Sequence, residues 1–149
     1  MPQQALSSPL LEQFLTYRLH SLSKLSDSVT HKAYMDELSL ALGEARCLAA
    51  LGRFEPIVLN EVAKYANLDK SHASRSIQSL VQRGLVYKEP NPQDGRSHHL
   101  RCTSDGLRLY QKIITLIARR NQEIFSCLSA TEQNMFSTML DRIIAQQHK

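Results

Sequence analysis

The sequence is poor in glycine, proline and cysteine, and it lacks long apolar runs. Five glycines and five prolines among 149 residues leave no low-complexity tract, and a hydrophobic content of 42% is enough for one packed domain. The three cysteines, Cys47, Cys102 and Cys127, are odd in number and far apart, which favours reduced thiols in a cytosolic protein over a disulfide framework. No stretch approaches the roughly 18 apolar residues of a membrane span, so we expect no membrane partner.

Motifs of export, catalysis and metal binding are also missing. The N-terminal MPQQALSSPLLEQF has neither a basic region nor a long apolar run, so we expect no signal peptide and a cytoplasmic protein. There is no glycine-rich phosphate loop, no Gly-x-Ser-x-Gly and no His-Glu-x-x-His, so we expect no enzyme and no cofactor. The histidines show no His-x-x-x-His spacing, and His98 and His99 should point to opposite faces of a strand, so we predict no metal site.

What the chain does have is a local excess of positive charge. The stretch from Lys70 to Arg101 holds six lysines and arginines against two acidic residues, a surplus of four, which equals the net charge of the whole chain, +4. The remaining residues therefore balance to zero. This concentration is typical of a phosphate-binding surface, while an ordinary solvated face stays open as the alternative.

The first part of the chain predicts two helices and a short extended segment. Residues 8–30 place apolar side chains at spacings of mostly three, four and seven, which indicates a long amphipathic helix. Residues 34–41 mix turn and apolar signals. LGEARCLAAL (42–51) predicts a second helix that Gly52 ends, and an extended segment at 56–58 follows.

The middle of the chain predicts two short helices joined by a tight turn. LNEVAKYANL (59–68) indicates a short helix, with Asn67 at its C-cap or in the turn. Asp69 is expected to N-cap the next helix, Lys70 to Arg83, and Gly84 to end it.

A hairpin and two further helices complete the pattern. GLVYKE and LRCT indicate two strands, and the intervening PNPQDGRSHH (90–99) is too rich in turn formers for a helix. Thr103 is expected to cap a fifth helix that runs to about Cys127. SATE (129–132) has the form of a capping box and predicts the start of a last helix.

This order of elements predicts a mainly α fold with a small β-hairpin wing, that is, a winged helix-turn-helix flanked by long N- and C-terminal helices. We expect one domain, 1–149, with a DNA-binding lobe at 42–101. The terminal helices, 8–33 and 104–148, carry apolar stripes that need a covering surface. In a chain this small, we expect a second copy of the chain to provide it.

The helix from Lys70 to Arg83 has the character of a major-groove reader. Its inner face is small and apolar, while Ser71, Arg75 and Gln78 share one outer stripe. Arg75 can pair bidentately with guanine and Gln78 with adenine, and Lys70 is better placed for a phosphate. The predicted DNA contacts of this helix are Lys70, Ser71, His72, Ser74, Arg75 and Gln78.

Four serines in this helix argue against an ordinary surface helix, which is the alternative reading. Serine is a mediocre helix former, so its repeated use indicates selection for something other than helix stability. Close approach to a DNA backbone or base is one candidate. The four are Ser71, Ser74, Ser76 and Ser79.

The hairpin tip carries Arg96, and an arginine on a narrow projection can enter the minor groove, where the potential is most negative. Asp94 lies two residues earlier, and we expect its carboxylate to fix the direction of the guanidinium. A solvent-exposed turn with Asp-Gly chemistry is the alternative.

Residues 59–106 resemble the MarR family of transcriptional regulators. The similarity is most specific in RGLVYKE after the fourth helix, in the wing segment DGRS, and in LRCTSDG before a long helix. The resemblance implies a homodimer, held by its first and last helices, that binds a palindromic operator and represses transcription. It assigns DNA contacts to five residues of the fourth helix and two of the wing: Ser71, His72, Ser74, Arg75 and Gln78, with Asp94 and Arg96.

The resemblance also implies release of DNA when a small ligand or an oxidant acts. Ligands in the family are often phenolic or carboxylate-bearing aromatic compounds that bind where the dimerisation helices meet the DNA-binding lobe. Polar and aromatic residues of that region are the candidates here: Tyr17, Arg18, His20, Tyr34, Arg46 and Arg53.

Two alternatives stay open at this point. The first is a thiol-oxidation sensor of the same fold, although peroxide-sensing relatives carry a cysteine near the start of the first helix and this chain has none there. Cys47 and Cys127 fall near apolar positions and are expected to be buried, and Cys102 lies beside the wing strand. The second is a winged-helix protein-interaction module, which would favour an apolar or acidic outer face on the fourth helix.

Overall fold

The computed structural model describes residues 8–148, so both ends of the predicted domain 1–149 lie outside the described residues. Six α-helices and one two-stranded antiparallel hairpin confirm the mainly α fold with a β wing. A short 3-10 turn, Leu11–Gln13, precedes them. The elements are α1 Leu15–Leu38, α2 Leu42–Phe54, α3 Leu59–Tyr65, α4 Lys70–Gln82, β1 Val86–Pro90, β2 His98–Cys102, α5 Ser104–Phe125 and α6 Ala130–Gln147.

Helix α1 begins and ends later than the predicted range of 8–30, at Leu15 and Leu38, and its last turns belong to the core. Tyr34 is buried and Leu38 packs against the same cluster, so tertiary contacts hold a segment with mixed local signals in the helix. Ser39 ends the helix in the left-handed conformation, with φ of 54°; its N–H donates to the carbonyl of Met35, and the N–H of Leu40 donates to that of Tyr34.

The prediction that Gly52 ends the second helix is wrong. Helix α2 continues to Phe54, and Glu55 is its C-cap. Gly52 is a glycine because the ring of Tyr110 on α5 lies directly over its α-carbon, where any side chain would overlap the ring. This glycine therefore allows α2 and α5 to approach closely.

The turn and cap signals around α3 and α4 are confirmed. Asn67 lies between the two helices with φ of 55°, the left-handed conformation that asparagine tolerates better than most residues. Asp69 caps α4, and its Oδ1 accepts from the backbone N–H of His72 at 2.8 Å. Gly84, with φ of 72°, turns the chain from α4 into β1.

The wing is fastened to the body of the lobe at two points. Its strands pair in a register from Val86 opposite Cys102 to Pro90 opposite His98. The predicted extended segment pairs with the wing at one position, where the N–H of Leu100 donates to the carbonyl of Ile57 at 2.8 Å. At the end of β2, the N–H of Cys102 donates to the carboxylate of Glu55 on α2, at 2.7 Å.

The hydrophobic core lies within the lobe and under the middle of α5. Leu48, Leu51, Val62, Leu80 and Ile113 are fully buried in it. By contrast, α6 has no buried residue, and most apolar side chains of α1 are exposed. None of the helices in residues 8–148 is long and apolar enough to cross a membrane. Large exposed apolar residues of the two helices are Leu15, Tyr17, Leu19, Leu22, Leu25, Val29 and Met35 on α1, and Met135, Met139, Ile143 and Ile144 on α6.

Candidate nucleic-acid interface

A groove of about 460 Å³ separates α4 from the wing. Its floor is apolar and includes Ile77 and Leu100, and the N-terminal end of α3 closes one side. Polar and cationic side chains line it from both edges. Those of α4 are Lys70, Ser74 and Gln78, and those of the wing are Lys88, Arg96, Ser97 and His98.

The positive surplus of this region is concentrated by internal pairing. Arg83 is paired with Glu44 at 3.1 Å and Arg101 with Glu89 at 2.6 Å, so two of the six cations of this stretch are in ion pairs. The other four form no ion pair within residues 8–148, and all four are exposed. They are Lys70, Arg75, Lys88 and Arg96, of which three line the groove.

The outer stripe of α4 lies where the sequence predicts it. Ser71, Arg75 and Gln78 are exposed, and the opposite face buries Ala73, Ile77 and Leu80 in the core. Ser74 is also exposed at the groove. A helix with this division of faces can enter a major groove without uncovering its own core.

His72 lies on a different side of α4 from this stripe. It is half-buried, and its ring packs against Gly43 of α2, where an added Cβ would lie 2.5 Å from Nε2. The side chain therefore sits at the junction of the two helices, on the edge of the candidate surface.

Two of the four serines face α2, so close approach to DNA, offered as one candidate reason for their use, does not account for Ser76 and Ser79. Ser76 is buried over Gly43, where an added Cβ would lie 2.6 Å from its Oγ. Ser79 is half-buried, and its hydroxyl donates to Oε2 of Glu44 at 2.8 Å. Small hydroxyl side chains let α4 pack closely on α2 while satisfying polar groups at the contact.

Asp94 shapes the wing tip in a way the sequence did not predict. Its Oδ1 accepts from the backbone N–H of Arg96 at 2.9 Å, and no ion pair joins it to the Arg96 guanidinium in the described chain. The expectation that it directs the guanidinium is therefore wrong, because short carboxylates bond readily to a backbone N–H two residues on. Asn91 acts in the same way on Gln93, at 3.0 Å. The two side chains hold the tip, and Arg96 projects from it.

Of the six candidate ligand residues, the structure brings only Tyr34 and Arg46 together. Burial raises the pKa of the Tyr34 phenol, and the nearby Arg46 guanidinium opposes that rise. Arg46 is itself paired with Asp27 of α1 at 2.8 Å. These contacts place two of the candidates where α1 meets α2.

The other four candidates lie apart from this pair. Tyr17, Arg18 and His20 are exposed on the first turns of α1. Arg53, at the end of α2, stacks over the ring of Phe54 at 4.9 Å from its centroid. Within residues 8–148, none of the six candidate ligand residues lies along the groove beside the wing.

The cysteines divide into two buried thiols and one exposed thiol. Burial raises the pKa of Cys47 and of Cys102 to about 12, so neither forms the reactive thiolate readily. Cys47 is buried as predicted, whereas Cys127 is exposed, so that prediction is wrong. Cys127 lies in the turn between α5 and α6, outside the core that its apolar neighbours suggested.

Sequence reasoning missed four polar residues of the groove wall, Asn60, Lys88, Ser97 and His98. For Lys88 and His98, the hairpin register contains the signal that could have found them. Lys88 lies opposite Leu100, and His98 is two residues before Leu100, so all three share one face of the wing.

Comparison with known proteins agrees with this geometry. Residues 38–97 match the family model described as MarR family. Over 74 residues the chain is 34% identical to the HTH-type transcriptional regulator BilQ of Clostridioides difficile, a match that spans half of each chain.

Solved structures extend the similarity over nearly the whole chain. The PcaV regulator of Streptomyces coelicolor, solved with its natural ligand, is 26% identical with a TM-score of 0.75, covering 93% of this chain and 97% of PcaV. A MarR mutant from E. coli, solved with operator DNA, has a TM-score of 0.77 at 22% identity and shows the same fold over 91% of this chain and 99% of its own.

Proposed function

Because the chain belongs to the MarR family of winged-helix transcriptional regulators, we propose that it is a homodimeric repressor that binds a palindromic operator and leaves it when a small ligand binds. The observation that carries the proposal is the groove between α4 and the wing. It has unpaired cations on both edges and an exposed polar stripe on α4 beside it.

In this proposal α4 enters the major groove and the wing reaches the adjacent minor groove. Arg75 and Gln78 meet base edges, since their side chains offer bidentate pairing with guanine and adenine. Arg96 projects from the wing tip, which Asp94 shapes. The complete set of proposed contacts is Lys70, Ser71, His72, Ser74, Arg75, Gln78, Asp94 and Arg96.

The terminal helices support the dimer. Leu15 and Leu25 of α1 are 72% and 71% exposed, and Ile143 of α6 is 54% exposed. Burying one such side chain fully stabilises by about 1.5–3 kcal/mol, so a second chain that covers both stripes gains substantial free energy. We therefore assign 8–33 and 104–148 to dimerisation and 42–101 to DNA binding. Two lobes on one face of DNA require their α4 helices about 34 Å apart.

The effector site is proposed at the junction of α1 with the lobe, around Tyr34 and Arg46. Arg46 offers a cation, and Tyr34 a phenol, beside the buried end of α1. This chemistry suits a small aromatic carboxylate or phenol. That the similar regulator PcaV was solved with its natural ligand supports a ligand-responsive mechanism. The remaining candidates, Tyr17, Arg18, His20 and Arg53, could contribute only through another arrangement or a second chain.

A salt titration of duplex binding tests the proposal. Arg75 is assigned to a base, which leaves three unpaired cations in each chain and six in a dimer for phosphate contacts. Their counterion release predicts a slope of log affinity against log salt of about −5. A winged-helix protein-interaction module would show almost no affinity for duplex DNA. A monomer without such affinity in dilute buffer would overturn the proposal.

The effector requires a separate experiment. Ligands that bind the folded state raise the melting temperature, so a thermal-shift screen of aromatic acids and phenols should yield at least one stabilising compound. That compound should also release the protein from DNA. If stabilising compounds leave DNA binding unchanged, the regulatory part of the proposal fails while the DNA-binding part stands.

A further inference from the structure

The carboxylate of Glu44 accepts hydrogen bonds that join the start of α2 to the end of α4 in the DNA-binding lobe. Its Oε1 accepts from the backbone N–H of Ala41 at 2.9 Å, at the start of α2. Its Oε2 accepts from the hydroxyl of Ser79 at 2.8 Å and from the guanidinium of Arg83 at 3.1 Å. Ser79 lies on α4 and Arg83 is its C-cap, so one side chain of α2 holds the last turn of α4.

This contact lies beside the stripe that faces the candidate DNA site. Ser79 follows Gln78 directly and lies one helical turn after Arg75, so it borders both side chains that are proposed to contact the bases. A rotation of α4 that broke the Ser79 and Arg83 bonds would therefore also turn Arg75 and Gln78 away from their present direction.

The tether that Glu44 forms with Ser79 and Arg83 is charged, and its Glu44 end is largely shielded from water. The Glu44 side chain is 13% exposed and that of Arg83 is 37% exposed. Burial by itself raises the pKa of Glu44, but the bonds from Ala41, Ser79 and Arg83 outweigh burial and leave that pKa below its ordinary value. The carboxylate is thus ionised at neutral pH, where charge-assisted hydrogen bonds are the stronger kind.

We propose that Glu44 is a positioning residue for operator recognition, which acts through Ser79 and Arg83 to fix the rotation of α4 that presents Arg75 and Gln78 to the bases. The inference rests on the proposed DNA-binding function. It predicts that loss of the tether lowers discrimination between DNA sequences more than it lowers affinity for DNA in general.

The experiment compares two duplexes bound by the full-length protein. The first, of roughly 30 base pairs, is selected by the parent protein from a random library, a length that holds two half-sites one turn apart. The second has the same composition in shuffled order. Glu44→Gln keeps an oxygen that can accept from the Ala41 N–H, but it replaces the oxygen that accepts from Ser79 and Arg83 with an amide NH2 and removes the charge. The ratio of the two affinities is measured at one salt concentration.

Glu61→Gln is the matched control. Glu61 occupies the same position in α3 as Glu44 in α2, and its Oε1 accepts from the backbone N–H of Val58 at 3.2 Å. Within residues 8–148 it makes no hydrogen bond to α4. The control thus removes one negative charge and weakens one helix cap in the same lobe while leaving the tether intact.

We expect Glu44→Gln to lower the ratio of selected to shuffled affinity by about tenfold, with shuffled affinity and melting temperature near those of Glu61→Gln. Arg83→Gln should act similarly. Glu44→Gln/Arg83→Gln should lose less than the two single changes together, because two neutral amides can bond to each other.

Two results would overturn the inference. One is a ratio for Glu44→Gln equal to that of the control. The other is a parallel loss of affinity for both duplexes together with a fall in melting temperature, which would make Glu44 a stability residue only. If the parent protein selects no sequence and binds no duplex, the proposed function itself fails, and that result is distinct from these two.

Discussion

The ring of Tyr110 lies directly over the α-carbon of Gly52, which fixes how closely α5 approaches α2. Gly52→Ala should destabilise the protein. Alanine is favoured over glycine in a helix by about 1 kcal/mol, but its methyl group would overlap the Tyr110 ring, and overpacking typically costs about 1–3 kcal/mol. We expect the overlap to win, with a lower free energy of unfolding in urea titrations.

A matched glycine and a compensating change test this explanation. Gly95, in the wing tip, has open space where its side chain would be, so Gly95→Ala should change stability by less than about 0.5 kcal/mol. In a Tyr110→Ala background, Gly52→Ala should lose the part of its destabilising effect that is due to overlap. If Gly52→Ala is as stable as the parent, the contact does not restrict the residue.

The contrast between Gly52 and Asp69 shows which parts of the fold were predictable. Asp69, Thr103 and Ser129 cap their helices through bonds to a residue three positions on, so the signal and its cause lie within one turn. The reason for Gly52 lies 58 residues away in the chain, at Tyr110. A local reading could see only a helix breaker there.

The candidate site was likewise predictable only where its features depend on residues close together in the sequence. The stripe of Ser71, Arg75 and Gln78 follows from helical spacing alone. The inward direction of Ser76 and Ser79 depends on Gly43 and Glu44 of α2, which no spacing within α4 reveals. The role of Asp94 was mispredicted because the conformation of the wing turn decides whether its carboxylate meets a backbone N–H or a guanidinium.

The cysteines should differ sharply in reactivity. Cys47 and Cys102 are buried with pKa values raised to about 12, whereas Cys127 is exposed. Because the thiolate is the form that alkylates, iodoacetamide at neutral pH should label the folded protein once per chain, at Cys127. Peptide mass spectrometry identifies the labelled residue, and unfolding in urea should expose all three. Labelling of Cys47 or Cys102 as fast as Cys127 would contradict the assigned burial.

The apolar stripe of α6 should be needed for assembly. Met139 is 46% exposed in the single chain, and Met139→Glu would place a charge in the proposed dimer contact. We expect a shift to monomer in sedimentation experiments, together with weaker DNA binding. Thr138→Glu is the control, because Thr138 directly precedes Met139 and helical spacing points it away from the apolar stripe. A Met139→Glu protein that remains a dimer would show that α6 does not form the interface.

Arg75→Ala should relax sequence preference at one base pair. Loss of a bidentate contact to guanine costs about 1–3 kcal/mol for the preferred base and little for the others. Binding to a set of duplexes with single substitutions in the selected sequence measures this. Lys70→Ala is the comparison, since loss of a phosphate contact should weaken all duplexes about equally. A uniform loss for Arg75→Ala would assign Arg75 to the backbone instead.

Arg96→Ala should weaken binding with little change in preference among major-groove bases. The Arg96 side chain projects from the wing tip without an ion pair in the described residues, so its removal leaves no buried charge behind and should not disturb the fold. The expected loss is in the sequence-independent part of the affinity, and the salt slope should fall by about one for each contact removed. Arg108→Ala on α5 removes the same charge from a side chain that is 70% exposed, away from the groove. If Arg96→Ala binds the selected duplex as tightly as Arg108→Ala at moderate salt, the wing does not contact DNA through Arg96, because an effect of net charge alone would be the same in both variants.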